Sequence, residues 1–222
     1  FNLEIQAGEV WGLLGPNGSG KSTAFGILLG VTRPTTGQFE WFEKEASSAA
    51  RRRIGALLEQ PNFYPWLSAS QNLKILAQLR GSTPPSNAEI ENKLKLVNLW
   101  DRRSDKFSEF SLGMKQRLAL AGSLLGDPEV LVLDEPTNGL DAKAIVEVRE
   151  IILAIAKSGK TILLASHIMD EVEKTCSHVM ILQKGQTLAQ GSIREILSTG
   201  NSFELGALDL NVLTAALNEF QG

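Results

Sequence analysis

Nine residues near the start of the chain, Gly15-Pro16-Asn17-Gly18-Ser19-Gly20-Lys21-Ser22-Thr23, set two glycines five positions apart and follow the second with a lysine and a hydroxyl. Glycine lets the backbone curl until successive N–H groups converge on one point, and a helix beginning there adds its positive end. Such a loop grips phosphate. Lys21 is placed for the β- and γ-phosphates of a nucleotide and the Ser22 hydroxyl for Mg²⁺. An apolar strand, Val10 to Leu14, must precede the loop and a helix, Lys21 to Leu29, must follow it.

Two further groups could act on a phosphate held there. Val130-Leu-Val-Leu-Asp134-Glu135 is an apolar run closed by two carboxylates. In a parallel sheet such a run delivers its C-terminal end to the ligand crevice. Asp134 then suits Mg²⁺, directly or through water, and Glu135 suits orienting or deprotonating an attacking water. Taken alone, Asp-Glu-Pro also reads as a turn opening, and the phosphate loop decides between the two. A second apolar run, Thr161 to Ala165, ends in Ser166-His167, which puts His167 at the same sheet edge, where it can donate to the γ-phosphate. His178 has no such setting and receives no role.

A second helix start of phosphate-binding type stands far downstream, at Ser111-Leu112-Gly113-Met114. One nucleotide needs only one phosphate loop, so this start requires another explanation.

The elements that must position these groups alternate. After the first strand and helix, Gln38 to Trp41 and Ile54 to Leu58 read as strands. From Pro61 to about Lys106 no strand interrupts, and helices are predicted from Ser68 to Arg80 and from Ala88 to Trp100, either side of a Thr83-Pro84-Pro85 turn. Then follow a helix from Ser111 to about Leu125, strand 130–133, helix 142–157 with Ile145, Val148, Ile152 and Ile155 on one face, strand 161–165, a helix from Ile168, and strands 179–183 and 186–190. This order predicts an α/β fold with a mainly parallel sheet. The domain reading is a core of 1–60 and 116–200, an inserted helical subdomain of 61–115, and a tail of 201–222 belonging to an incomplete C-terminal region.

Composition narrows the class. The chain has 222 residues, 43% of them hydrophobic and 21% charged, with a formal net charge of −3. No basic excess is available to neutralise a nucleic-acid backbone, and the one basic cluster, Arg51-Arg52-Arg53, reads as a solvated helix end. A single cysteine, Cys176, excludes an internal disulfide and points to a reduced compartment. No apolar run approaches the ~18 residues of a spanning helix. The chain opens on Phe1 without methionine, which suggests residues before it.

Taken together the motifs resemble those of ATP-binding-cassette (ABC) ATPases, in family order and over essentially the whole chain. The phosphate loop is residues 15–23, the Walker B strand ends in Asp134-Glu135, the D-loop matches Asn138-Gly139-Leu140-Asp141, the switch histidine matches His167, and Ser111 to Met114 resembles the signature. The resemblance implies a P-loop ATPase using ATP and Mg²⁺ and pairing head to tail with a second cassette. The second helix start would then cap the ATP held by the partner.

Three departures stand out. Leu112 and Met114 replace a glycine and a glutamine of the usual signature, which a backbone-mediated cap survives. The Q-loop position falls on Glu59, with Gln60 next, and either is a Mg²⁺ candidate. The adenine-stacking aromatic would lie before Phe1, so Phe1 and Trp11 read as core residues. Segments such as Phe63-Tyr64-Pro65-Trp66 look like the bacterial exporter branch for drugs, lantibiotics or polysaccharides. There the cassette works on the cytoplasmic face of the membrane and docks on a separate permease through the helical subdomain and Q-loop. A soluble ABC ATPase of translation or DNA repair is the alternative, weakened by the lack of a second phosphate loop and of sustained heptads. A nucleotide-gated assembly module is weaker still, because Glu135 and His167 are intact.

Overall fold

The computed structural model describes residues 2–42, 44–45, 47–58, 61–79 and 86–198. Its main sheet has six strands in the order β4-β5-β6-β1-β7-β8. These are β1 (Val10–Leu14), β4 (Ile54–Leu57), β5 (Val130–Asp134), β6 (Thr161–Ser166), β7 (His178–Gln183) and β8 (Gln186–Ser192). β4, β5, β6, β1 and β7 run parallel, and only β8 returns antiparallel, on β7. β2 (Glu40–Trp41) and β3 (Lys44–Glu45) form a separate antiparallel ribbon.

β1 and β5 are buried along their whole length because both faces of the sheet are covered. Their side chains still alternate. Val10 and Leu14 of β1, Leu131 and Leu133 of β5, and Ile162 and Leu164 of β6 enter one core. Trp11 and Leu13, Val130 and Val132, and Leu163 and Ala165 enter the other. The second core is closed by α1 (Lys21–Leu28), through Ala24 and the fully buried Phe25. Trp11 therefore takes the core place expected of it and stacks on His178, with ring centroids 4.9 Å apart. Phe1 lies outside the described residues.

The first core is closed by α5 (Leu112–Ser123), α6 (Ala142–Lys157) and α7 (Met169–Thr175). α6 spans the expected range and buries Val148, Ile151, Ile152 and Ile155, while Ile145 is half-buried. Gly12 lets α7 lie directly on β1, since a Cβ there would strike the Val172 side chain. Gly55 does the same where the C-terminal end of α5 crosses β4.

A short helix, α2 (Ser48–Arg52), carries Arg51 and Arg52 exposed at its end, as the basic cluster suggested, while Arg53 forms a two-bond pair with Glu129. Between Pro61 and Ser111 the described residues hold α3 (Ala69–Leu79), α4 (Asn87–Leu96) and two 3-10 turns, and no strand. α4 stops four residues before the expected end, because Asn98 adopts φ 55°, a left-handed position that asparagine tolerates and a helix cannot continue through. α3 and α4 pack on α5, whose single run crosses the 115/116 boundary between the expected subdomains. After β8 comes α8 (Ile193–Ser198), and the tail 201–222 lies outside the described residues.

Candidate functional site

Parallel pairing in register puts the chemistry on one sheet edge. Leu57 lies opposite Leu133, Asp134 opposite Ala165, and Ser166 opposite Leu14. The loops carrying residues 15–23, Asp134-Glu135 and His167 thus leave the sheet side by side. Both Q-loop candidates, Glu59 and Gln60, lie outside the described residues.

The glycine loop is held from beneath. Gly15 N–H donates to the Ser166 carbonyl at 3.2 Å, and a Cβ on Gly15 would collide with the Leu182 carbonyl. Pro16 accepts from Ser19 N–H at 3.1 Å; Asn17 and Gly18 are exposed at the tip. Gly20 sits at φ 105° as the N-cap of α1 and supplies no side-chain cap. The first-turn N–H groups of α1 are therefore left for a ligand, as an anion site requires. Ser22 and Thr23 are exposed in that turn. Ser19 is 2% exposed and its Oγ has no hydrogen-bond partner among the described residues.

Lys21 is buried and folded back. Its Nζ donates to the Gly15 carbonyl at 2.6 Å and the Pro16 carbonyl at 3.3 Å, and lies 3.4 Å from Glu135 Oε1. The other Glu135 oxygen, Oε2, lies 2.9 Å from His167 Nδ1. One carboxylate thus stands between an ammonium and an imidazole. His167, expected to donate to the γ-phosphate, lies at the same mouth and in contact with Glu135. Glu135 also has φ 46°, a left-handed position costing a non-glycine residue ~1–3 kcal/mol, and such strain collects at functional sites.

A cavity of about 370 Å³ opens beside this cluster, lined by Ser22, Asp134, Glu135, Asn138 and Gly139, with Leu112 and Gln116 from α5. The sequence reading missed Gln116. Its spacing from Leu112, four residues along one helix, puts both on the same face and was the available signal.

The remaining motif residues are not on the phosphate loop. Asp141 caps α6, its Oδ1 accepting from Ala144 N–H at 2.8 Å, while Asn138 and Gly139 are exposed and Leu140 packs on the core. Ser111 caps α5, its Oγ accepting from Met114 N–H at 3.3 Å. Leu112 is exposed, Met114 leans on the core, and Gly113 is buried because a Cβ there would come 2.8 Å from Ala144 Cβ.

This fold and loop define a P-loop nucleotide-binding ATPase. Residues 1–138 match the family described as ABC transporter, and the chain belongs to that family as an ATP-binding subunit. It is 41% identical over 189 residues to the lantibiotic transport ATP-binding protein SrtF of Streptococcus pyogenes, covering 85% of this chain and 81% of that one. It is 42% identical over 194 residues to the bacitracin transport ATP-binding protein BcrA of Bacillus licheniformis, covering 86% of this chain but only 63% of that relative. Among solved structures it resembles cbiO1 of Clostridium perfringens, part of the ABC transporter complex cbiONQ. The TM-score is 0.80 at 28% identity, over 98% of this chain and 90% of that one.

Proposed function

We propose that the chain binds Mg²⁺–ATP, pairs head to tail with a second cassette, an identical copy in the simplest case, and uses hydrolysis to drive export through a separate membrane permease. The observation that carries the reading is the Lys21–Glu135–His167 cluster at the mouth of an uncapped phosphate-loop helix.

The donor set fits Mg²⁺. Among the described residues no group of three His, Cys, Asp or Glu could hold a metal. Nucleotide-bound Mg²⁺ needs no such group, taking one or two protein oxygens and completing its shell with phosphates and water. Ser22 and Asp134 are the residues to hold it, with Glu59 or Gln60 the further candidate. When bound, Mg²⁺ offsets charge on the β- and γ-phosphates.

Arrival of ATP draws Lys21 from the Gly15 and Pro16 carbonyls to the phosphates. Glu135, steadied by His167, orients a water and takes its proton as the water oxygen bonds the γ-phosphorus. The bond to the bridging oxygen of ADP breaks, and that oxygen leaves in line. Ser111 to Met114 serves as the cap for the partner's ATP, with Asn138 to Asp141 at the dimer seam. Closure completes both sites and reopening follows hydrolysis.

The permease face is the helical subdomain. A groove of about 550 Å³ runs between the end of β4, α3 and α5, lined by Phe63, Tyr64, Leu76, Leu79 and Ala119. Beside it Trp66 is 65% exposed and Leu79 75% exposed, side chains that a partner would cover. No helix among the described residues is long and apolar enough to cross a membrane. The chain then sits peripherally on the cytoplasmic face, held by its permease. The transport names of the relatives favour this over a soluble role in translation or repair, and the net charge of −3 gives no support to nucleic-acid binding.

Co-purification from detergent-solubilised membranes of the native host tests the assignment. A stoichiometric integral membrane protein supports it; ribosomes or DNA in its place would overturn it.

A further inference from the structure

We propose that Gln116 is a positioning residue for ATP hydrolysis in its own chain, its side-chain amide holding water against the carboxylates of Asp134 and Glu135. The inference rests on the hydrolytic reading of Glu135 given above.

Gln116 stands in the second turn of α5 and is 5% exposed. Its side chain makes no hydrogen bond or ion pair among the described residues. It lines the cavity of about 370 Å³ together with Ser22, Asp134, Glu135 and Asn138. Asn72, the other buried amide among the described residues, shows the ordinary arrangement. Its Oδ1 accepts from Tyr64 N–H at 2.8 Å, and its Nδ2 donates to the carbonyls of Tyr64, Leu67 and Ser68. Gln116 has the burial of Asn72 and none of its partners.

A buried polar group without a partner destabilises a fold. Methionine, similar in length and in helix propensity, would fill the position without that cost. What the amide adds is chemistry directed at the cavity, two N–H donors and one carbonyl acceptor. The ionised carboxylates of Asp134 and Glu135 only accept. A water between them and Gln116 is therefore held from both sides, donating to a carboxylate and accepting from the amide. The cavity has room for several waters at ~30 Å³ each. A water oriented in this way before reaction lowers the barrier to attack, and its misplacement by ~1 Å lowers the rate about a hundredfold. The effect falls on turnover more than on nucleotide affinity. Ser111 caps the first turn of the same helix. One helix then serves both sites, its first turn the partner's ATP and its second turn the water of its own.

The test is steady-state ATP hydrolysis by the purified protein, with thermal melts of every variant and Glu135→Gln as the inactive control. Gln116→Met should lower kcat by ~10- to 100-fold with KM for ATP within about twofold. Its melting temperature should equal or exceed that of the parent, because an unbonded buried amide has been removed. Gln116→Glu, equal in shape but without a donor at neutral pH, should be as slow. With Glu135→Gln in the background, Gln116→Met should still form ATP-driven dimers, which separates a fault at the water from loss of the cap. Unchanged kcat in Gln116→Met, a change in KM alone, full rate in Gln116→Glu, or loss of dimerisation would overturn the proposal while leaving hydrolysis by Glu135 intact. A lower melting temperature or failure of Gln116→Met to fold would overturn it too, by showing that the amide serves the fold. A parent chain without turnover would sink the hydrolytic reading, and this proposal with it.

Discussion

Glu135 Oε2 lies 2.9 Å from His167 Nδ1 while Glu135 Oε1 lies 3.4 Å from Lys21 Nζ, so one carboxylate joins the ends of two strands to the phosphate loop. The three groups proposed to act on a γ-phosphate are held together by direct contacts, and Lys21 is held in addition by carbonyls of its own loop.

Replacing Glu135 by Gln keeps the shape but removes the proton acceptor. Turnover should fall by ~10²–10⁴-fold, the usual contribution of a positioned base, with ATP still bound. Single-turnover hydrolysis alongside equilibrium nucleotide binding checks this, and near-normal turnover would remove Glu135 from its role.

Lys21→Ala empties a buried position and leaves the Gly15 carbonyl without its 2.6 Å donor. Both ATP affinity and turnover should drop, the first by at least tenfold, since a charge-assisted contact is worth ~1.5–3 kcal/mol. Titration with a fluorescent nucleotide reads it. Affinity equal to the parent would show that residues 15–23 are not the phosphate loop.

Gly113→Ala pits two effects against each other. Alanine gains up to ~1 kcal/mol of helix propensity, but its Cβ would stand 2.8 Å from Ala144 Cβ, and overpacking costs ~1–3 kcal/mol. The clash wins, pushing the start of α5 off α6. A lower denaturation midpoint and weaker ATP-driven dimerisation should appear together. Ser111→Arg, by contrast, should leave nucleotide binding by the monomer intact and block dimerisation, as gel filtration with Glu135→Gln in the background would show.

Burial pushes the Cys176 thiol from 9.0 up to about 12. A raised folded value means that the native chain keeps a proton the unfolded chain releases. The associated stability is complete below pH 9 and is lost as the pH rises toward 12. Cys176 is half-buried, so a thiol reagent at pH 8 should label the native protein more slowly than the denatured one, and equal rates would contradict the raised thiol.

Trp66→Ser with Leu79→Ser removes exposed apolar surface from residues outside the phosphate loop and the cavity beside it. Basal hydrolysis should stay within about twofold, as surface changes usually allow, while recovery of the membrane partner in pull-down should fall. Unchanged recovery would move the docking face elsewhere.

Much of this protein is determined along the chain itself. A glycine loop between an apolar strand and a helix, carboxylates closing a second strand and a histidine after a third are local patterns, and parallel pairing carries their strand ends to one edge whatever the details. Helix α6 is legible because one apolar stripe recurs at helical spacing, and Asp141 marks its start as a side-chain cap. Contacts between distant segments have no local signature. That Lys21 meets Glu135, that His167 meets Glu135 and that Gln116 reaches the cavity depends on packing of elements far apart in the chain. The same holds for the end of α4, where a left-handed Asn98 overrode a periodicity that continued to Trp100. Sequence periodicity reports which face a residue takes; only the folded chain decides which side chain it meets there.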